Sequence, residues 1–390
     1  MKHNWEYKRL GDICKILNGY AFKSSNYISN GGLRIIRIAN VQEGFVCDNA
    51  PQFYPLDTIP SLSKYILYEG DLLMSLTGNV GRVGILPKEF LPAALNQRVA
   101  CLRLDKGLSK KFIFHFLNNK FFIQDAINFS TGVAQLNLST EWLNNYLVPV
   151  PPMEVQERIV AELDKINETI EDCRELLRNL DALKLSLFYD YFGDPNTNPK
   201  NWNISTFGEI GTFIRGGGFL KRDFVDFGIP CIHYGQIHTK FGEVVRKNLT
   251  YISEYTALKS KFAKPNDVIL AITSEDLEGS CKSVAWLGDF EVAVGGHAAI
   301  FTHNQNPVFI SFYTRSNAFC IEKEKYAHGS KVVEIRPKDI EKIPIYLPPL
   351  ELQKKFAARI EQIEAQKKAV EQTIAELQTL LDSRMDYWFN

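Results

Sequence analysis

The segment PPMEVQERIVAEL at residues 151–163 returns as PPLELQKKFAARI at 348–360, an offset of 197 residues. The same offset places Trp5 on Trp202, Leu10-Gly11-Asp12-Ile13 on Phe207-Gly208-Glu209-Ile210, and Gly132 on Gly329. With a one-residue slip, Gly70-Asp71-Leu72-Leu73 falls on Asn266-Asp267-Val268-Ile269. The chain is a tandem duplication of a unit about half its length. Such a period lies far outside the range of solenoids and propellers. It means two copies of a whole domain, each with an appendage.

The appendages read as long helices. After Pro151-Pro152, apolar residues recur at Ile159, Leu163, Ile166, Ile170, Cys173, Leu177, Leu180, Leu187 and Tyr191, with Lys184 at the one polar step. The second copy runs Phe356, Ile360, Ile363, Val370, Ile374, Leu377, Leu381 and Trp388, with Lys367 as its exception. Steps of four and three over more than four heptads describe a coiled-coil seam. Prolines precede each helix and none interrupts it. The seam is narrow and the opposite faces are charged, which favours helix on helix over two helices each packed on its own lobe. About 38 residues of helix span about 57 Å. The second helix can meet the first only by running back, so the pattern predicts an antiparallel pair, a lobe at each end and a pseudo-two-fold internal repeat. The expected fold class is α+β, with strand-rich domains at residues 1–147 and 194–342 and spacer helices at 148–193 and 343–390.

Within the lobes, "LRIIRIANV" (33–41), "DLLMSLTG" (71–78) and "RVACLRL" (98–104) read as strands between turn residues. "SKKFIFHFLNNKFFIQDAI" (109–127) and "PVFISFYTRSNAFCIEKEK" (307–325) read as helices. The formal net charge of zero conceals a division. Residues 1–147 hold 16 basic against 11 acidic side chains and residues 194–349 hold 18 against 17, whereas 148–193 hold 5 against 10 and 350–390 hold 6 against 7. Basic lobes on acidic spacers suit a polyanionic partner for the lobes. The seven cysteines form no Cys-x-x-Cys pair and suit free thiols in a cytoplasmic protein. The N-terminus is no signal peptide, and no apolar run approaches a membrane span.

Enzyme motifs are mostly absent. There is no phosphate loop, and "GNVGRVG" (78–84) has the wrong spacing for a nucleotide turn. No Asp/Asn-Pro-Pro-Tyr/Phe stretch of the kind amino-methyltransferases use occurs, and no His/Cys cluster offers a metal site. The lobes instead carry polar and basic residues beside aromatics on turns. In lobe 1 these are Asn18, Tyr20, Lys23, Arg34, Arg37, Asn40, Asn79, Arg82, Gln97 and Arg98. In lobe 2 they are Arg215, Lys221, Arg222, His233, Tyr234, Gln236, Lys282, His297, Ser330 and Lys331. Such side chains read base edges and hold phosphates. Any one stretch could equally be a solvated loop, but their recurrence at matching places in both lobes points to DNA.

The twofold repeat, the PPxExQ openings of two long helices, the W…L/FGD/EI start of each lobe and the mid-lobe Gly/Asn-Asp-hydrophobic stretch resemble the DNA specificity subunits of type I restriction–modification systems. The resemblance covers essentially the whole chain. It implies a non-catalytic subunit whose two target-recognition domains each read one half of an interrupted sequence in double-stranded DNA. It implies that two methyltransferase subunits, carrying S-adenosylmethionine that this chain does not bind, dock on the helices and methylate adenine, and that motor–nuclease subunits join for restriction. Base-contacting residues vary within such a family, so no motif carries them over. Three other readings stay open: the recognition subunit of a related system that cuts on both sides of its site, an unrecognised methyltransferase or nuclease, and a coiled-coil scaffold with two protein-binding lobes.

Overall fold

The computed structural model describes residues 5–105, 107–132, 135–329 and 332–390. Contacts divide the chain into two compact units, Met1–Arg174 with Glu371–Asn390, and Glu175–Val370. The division falls inside the two long helices, Met153–Phe192 and Leu350–Phe389. Each unit therefore owns one lobe, the start of the helix leaving that lobe and the end of the other helix.

In the first unit, Glu6–Arg9 pairs antiparallel with Leu147–Val150 and closes the lobe. One sheet has the order Cys14–Asn18, Val99–Leu104, Leu72–Ser75, Val83–Ile85, all antiparallel. The other has the order Phe53–Tyr54, Leu33–Ile36, Ala93–Leu95, Ile66–Leu67, with a parallel pair at its centre. The second unit repeats this design. Asn203–Thr206 pairs with Pro344–Leu347. Its sheets run Gly211–Arg215, Ala298–His303, Val268–Ala271, Ser283–Trp286, Val244–Val245 and Phe224–Val225, Thr250–Ile252, Ile229–Ile232, Val292–Val294, Lys261–Ala263. Each sheet of lobe 1 thus recurs with one added edge strand.

The shared residues mark shared turns. Gly70 and Asn266 both adopt φ near +75°, a conformation open to Gly and tolerated by Asn. The following Asp then accepts from a backbone amide three residues back, Asp71 from Tyr68 at 2.9 Å and Asp267 from Lys264 at 2.7 Å. Gly132 and Gly329 have φ of +110° and +96°, and a Cβ on either would lie 2.3 or 2.2 Å from the carbonyl oxygen three residues on. No other residue fits that turn.

The stretches read as single helices are each broken in two. Asn119 caps Lys120–Asn128 by accepting from Phe121 and Phe122 amides, after Lys110–Leu117 has ended. Ser316 caps Asn317–Glu324 after Pro307–Tyr313. A short side-chain acceptor competes with the helical carbonyl and restarts the helix. Likewise, the strand read at 33–41 ends at Ile36, and Ile38–Asn40 turns as a 3-10 helix.

Within each unit the two helical segments run antiparallel. In the first, Glu162 accepts from Arg384 and from Trp388 Nε1 (3.0 Å), and Trp5 stacks on Trp388 at 6.4 Å. In the second, Lys184 bonds Glu364 at 2.7 Å and Lys367 bonds Asp181 at 2.6 Å. Packing of helix on helix alone is too narrow a description. Ile159 and Leu163 belong to the core of lobe 1, and Phe356 and Ile360 to the core of lobe 2. Ile166, Ile170, Leu180 and Ile363 are buried as well, whereas Leu177, Val370, Ile374 and Leu377 are half-buried.

Candidate nucleic-acid interface

One rim of lobe 1 is assembled from loops distant in sequence. Tyr20 bridges to Asn96, its amide donating to Leu95 O at 2.8 Å and its carbonyl accepting from Gln97 N at 3.0 Å. Leu76 N donates to Arg98 O at 3.0 Å, and Leu138 N to Leu76 O at 2.8 Å. Arg82 Nη1 reaches Gln42 Oε1 at 2.8 Å. Asn18, at the end of its strand, and Tyr20, Lys23, Asn79, Gln97 and Arg98 on the loops are exposed. The Tyr20 ring rests on Phe22 (5.1 Å) and Tyr65 (5.3 Å), and the Lys23 backbone is clasped by the Tyr54 hydroxyl.

Three of these backbone bonds recur in lobe 2 among other side chains. Gly217 N donates to Val294 O at 2.7 Å, Ile272 N to His297 O at 3.0 Å, and Ile335 N to Ile272 O at 3.0 Å. The turn Asn96-Gln97-Arg98 of lobe 1 is Gly295-Gly296-His297 in lobe 2. His297 is exposed and packs on the Tyr234 ring at 5.0 Å, and Tyr234 also meets His233 at 4.5 Å and His238 at 6.0 Å. His238 Nε2 lies 3.1 Å from Thr273 O, and Lys282 Nζ donates to His238 O at 3.0 Å. Burial, and then the Arg315 charge, lowers the Lys282 ammonium below its ordinary value. Lys221, Tyr234, Lys282 and His297 line an open cleft of about 1670 Å³ in this unit, along with the acidic stretch Glu275–Glu278.

Several sequence candidates face inward. Arg34 is paired with Asp48 and lies between the rings of Phe53 (5.1 Å) and Phe90 (4.9 Å). Asn40 is 3% exposed and donates to Cys47 O and Asp48 Oδ1. Its Oδ1 accepts from Arg37 N at 2.7 Å, as Gln236 Oε1 accepts from His233 N at 2.9 Å. Asn40 and Gln236 do the same internal work in both lobes, holding the turn after a central strand. Arg37 also reaches Ala50 O at 2.7 Å. His233 is 4% exposed, and its Nδ1 accepts from Gly235 N at 3.2 Å. Burial, aided by Lys221 and His297, lowers its imidazole to about 4, so it is neutral near pH 7. Arg215 is exposed, and bonds Gly296 O (2.9 Å) and Glu334 (3.0 Å). Arg222 is exposed beside Lys221, and Ser330 and Lys331 lie outside the described residues. Sequence reasoning missed Gln42, His238 and Lys323. Only His238, two residues from Gln236, carried a signal.

Burial, with Asp105 adding to it, pushes the Cys14 thiol up to about 12; burial raises Cys281 to about 12, and neither is a thiolate nucleophile. Among the described residues no group of three or more His, Cys, Asp or Glu side chains could hold a metal ion, and no helix is long and apolar enough to cross a membrane.

The description "Type I restriction modification DNA specificity domain" matches residues 2–180 and again 199–379. The chain belongs to that family. The two matches reproduce the internal repeat, one per lobe with its helix. The type I specificity subunit EcoAI of Escherichia coli is 32% identical over 192 residues, covering 48% of this chain and 32% of that protein. The putative type I specificity subunit MjaX of Methanocaldococcus jannaschii is 23% identical over 388 residues, covering 93% of this chain and 87% of that protein. The alignments cover under half the length of the first relatives matched, 32% of EcoAI and 44% of the M. jannaschii subunit MjaVIII. Two solved structures share the fold. A chain from work on assembly and conformational transition of the type I system has a TM-score of 0.60 at 20% identity, covering 99% of this chain and 97% of that one. The type I S subunit from M. genitalium has a TM-score of 0.54 at 14% identity, covering 98% and 96%.

Proposed function

We propose that this chain is the non-catalytic DNA-reading subunit of a type I restriction–modification complex, each lobe rim reading one half of an interrupted double-stranded target. One observation carries the reading. The rims share three backbone hydrogen bonds at matching positions, yet present Asn96-Gln97-Arg98 in one lobe and Gly295-Gly296-His297 in the other. A common frame with different polar side chains suits reading two different half-sites. Family membership supports the role.

In this reading, the long helices dock two methyltransferase subunits, which supply S-adenosylmethionine and the chemistry, and motor–nuclease subunits join for restriction in the cytoplasm. The modest positive charge of the lobes limits phosphate contacts, so the isolated chain binds weakly and the partners close on the duplex. The test is adenine methylation of host DNA by the chain alone, by the methyltransferase subunits alone and by both. Site-specific methylation by the combination only is expected. Methyl transfer or S-adenosylmethionine binding by the purified chain would overturn the reading.

A further inference from the structure

Lobe 2 carries an element that lobe 1 lacks. Between strands Leu72–Ser75 and Val83–Ile85 the chain of lobe 1 uses seven residues, 76–82; between Val268–Ala271 and Ser283–Trp286 lobe 2 uses eleven, 272–282. Both connections end alike, with Gly81 and Cys281 at φ of +80° and +59°. Beneath them the lobes differ. A Cβ on Gly81 would lie 3.0 Å from the Ala126 methyl, so lobe 1 is closed by contact with a small residue. The repeat offset turns Ala126 into Lys323.

Lys323 is 2% exposed, and its Nζ donates to the carbonyls of Glu278 (3.1 Å) and Ser280. Both belong to the longer connection. A buried ammonium needs such partners, and here they are the loop itself. The loop is tightened by Asp276 Oδ1 accepting from Gly279 N at 2.6 Å and by Ser280 Oγ donating to Leu277 O at 2.7 Å. Its outer residues face the same cleft as Tyr234, Lys282 and His297.

We propose that Lys323 is a positioning residue for sequence recognition, fixing the loop Ser274–Ser280 as an extra reading element of lobe 2. The inference rests on the rim of lobe 2 contacting DNA.

Cells carrying the chain with its methyltransferase partners provide the test, read by sequencing methylated adenines. Lys323→Met should leave assembly and the lobe 1 half-site intact and make the lobe 2 half degenerate at one or two positions, with off-motif methylation rising at least tenfold. Lys323→Arg, which can still donate to both carbonyls, should restore the motif. A wild-type motif in Lys323→Met, or equal loss of both halves in an assembled complex, would overturn the proposal. If Lys323→Met fails to fold, excision of Glu275–Glu278 with Lys323→Ala recreates the closure of lobe 1. That variant should change the lobe 2 half alone, and an unchanged half overturns the proposal. Should His297→Ala also leave that half unaltered, the contact of the rim with DNA is what fails.

Discussion

Gln156 Oε1 accepts a hydrogen bond from the backbone amide of Ser109 at 2.9 Å, while its Nε2 donates to Pro151 O at 2.8 Å. Ser109 caps the helix Lys110–Leu117. One repeat later, Gln353 Oε1 accepts from Asn306, the cap of Pro307–Tyr313, at 3.0 Å, and Nε2 donates to Pro348 O at 2.8 Å. Both carboxamides are buried. The repeated PPxExQ is thus a pin between each long helix and the lobe it leaves. Gln156→Ala strands a buried amide hydrogen, and the loss of stability should be about 1–3 kcal/mol, measured by chemical denaturation. Gln353→Ala should act alike, and a change of a few tenths in either would remove the pin from the account.

Lys184 occupies a seam position in the second unit and bonds Glu243 and Glu364, both at 2.7 Å. Burial works against its charge, yet the two carboxylates hold its pKa above the ordinary value. Lys184→Met removes the nearer cation from Glu243, which keeps only Arg315 at 3.7 Å, and from the partly exposed Glu364, and a destabilisation of about 3 kcal/mol is expected. Adding Glu243→Gln and Glu364→Gln should recover most of it. Additive losses in the triple variant would contradict the network.

The pH response of the second unit follows from two histidines. Burial lowers both His233 and His303 from 6.5 to about 4. Between those values the unfolded chain takes up protons that the folded unit does not, so stability falls as pH drops from 6.5 towards 4. Denaturation across that range should show the slope, and His233→Asn, which keeps a capping acceptor, should reduce it. A flat profile would refute the buried neutral state.

The duplication and both helices were legible because the repeat is a direct match of residues and a helical period is written locally. The breaks at Asn119 and Ser316 were not, since a cap is decided by whether its side chain turns back onto the helix. Arg34, Asn40 and Gln236 looked like base readers by residue type. Gln236 turns back onto the His233 amide three residues away, Asn40 onto the Cys47 carbonyl seven away and Arg34 onto Asp48 fourteen away, and residue type alone does not tell such an inward contact from an exposed one. Lys323 was invisible for the same reason.

That distinction is itself testable. Arg34→Ala should lower the stability of the first unit and leave the methylated motif unchanged, while Arg98→Ala should leave stability within about 0.5 kcal/mol and lower discrimination by about 1–3 kcal/mol at one base pair. Thermal melting and methylated-motif sequencing separate the two outcomes, and a motif change from Arg34→Ala in a fully folded chain would return that residue to the rim.

The most direct test of the central claim is a turn exchange. Asn96-Gln97-Arg98 is replaced by Gly-Gly-His, the residues lobe 2 carries at the matching turn, and host DNA is sequenced for methylated adenines with the partner subunits present. The account predicts that one half of the methylated sequence changes and the other half stays as it was. A methylated sequence altered in both halves, or in neither while the complex assembles, would contradict it.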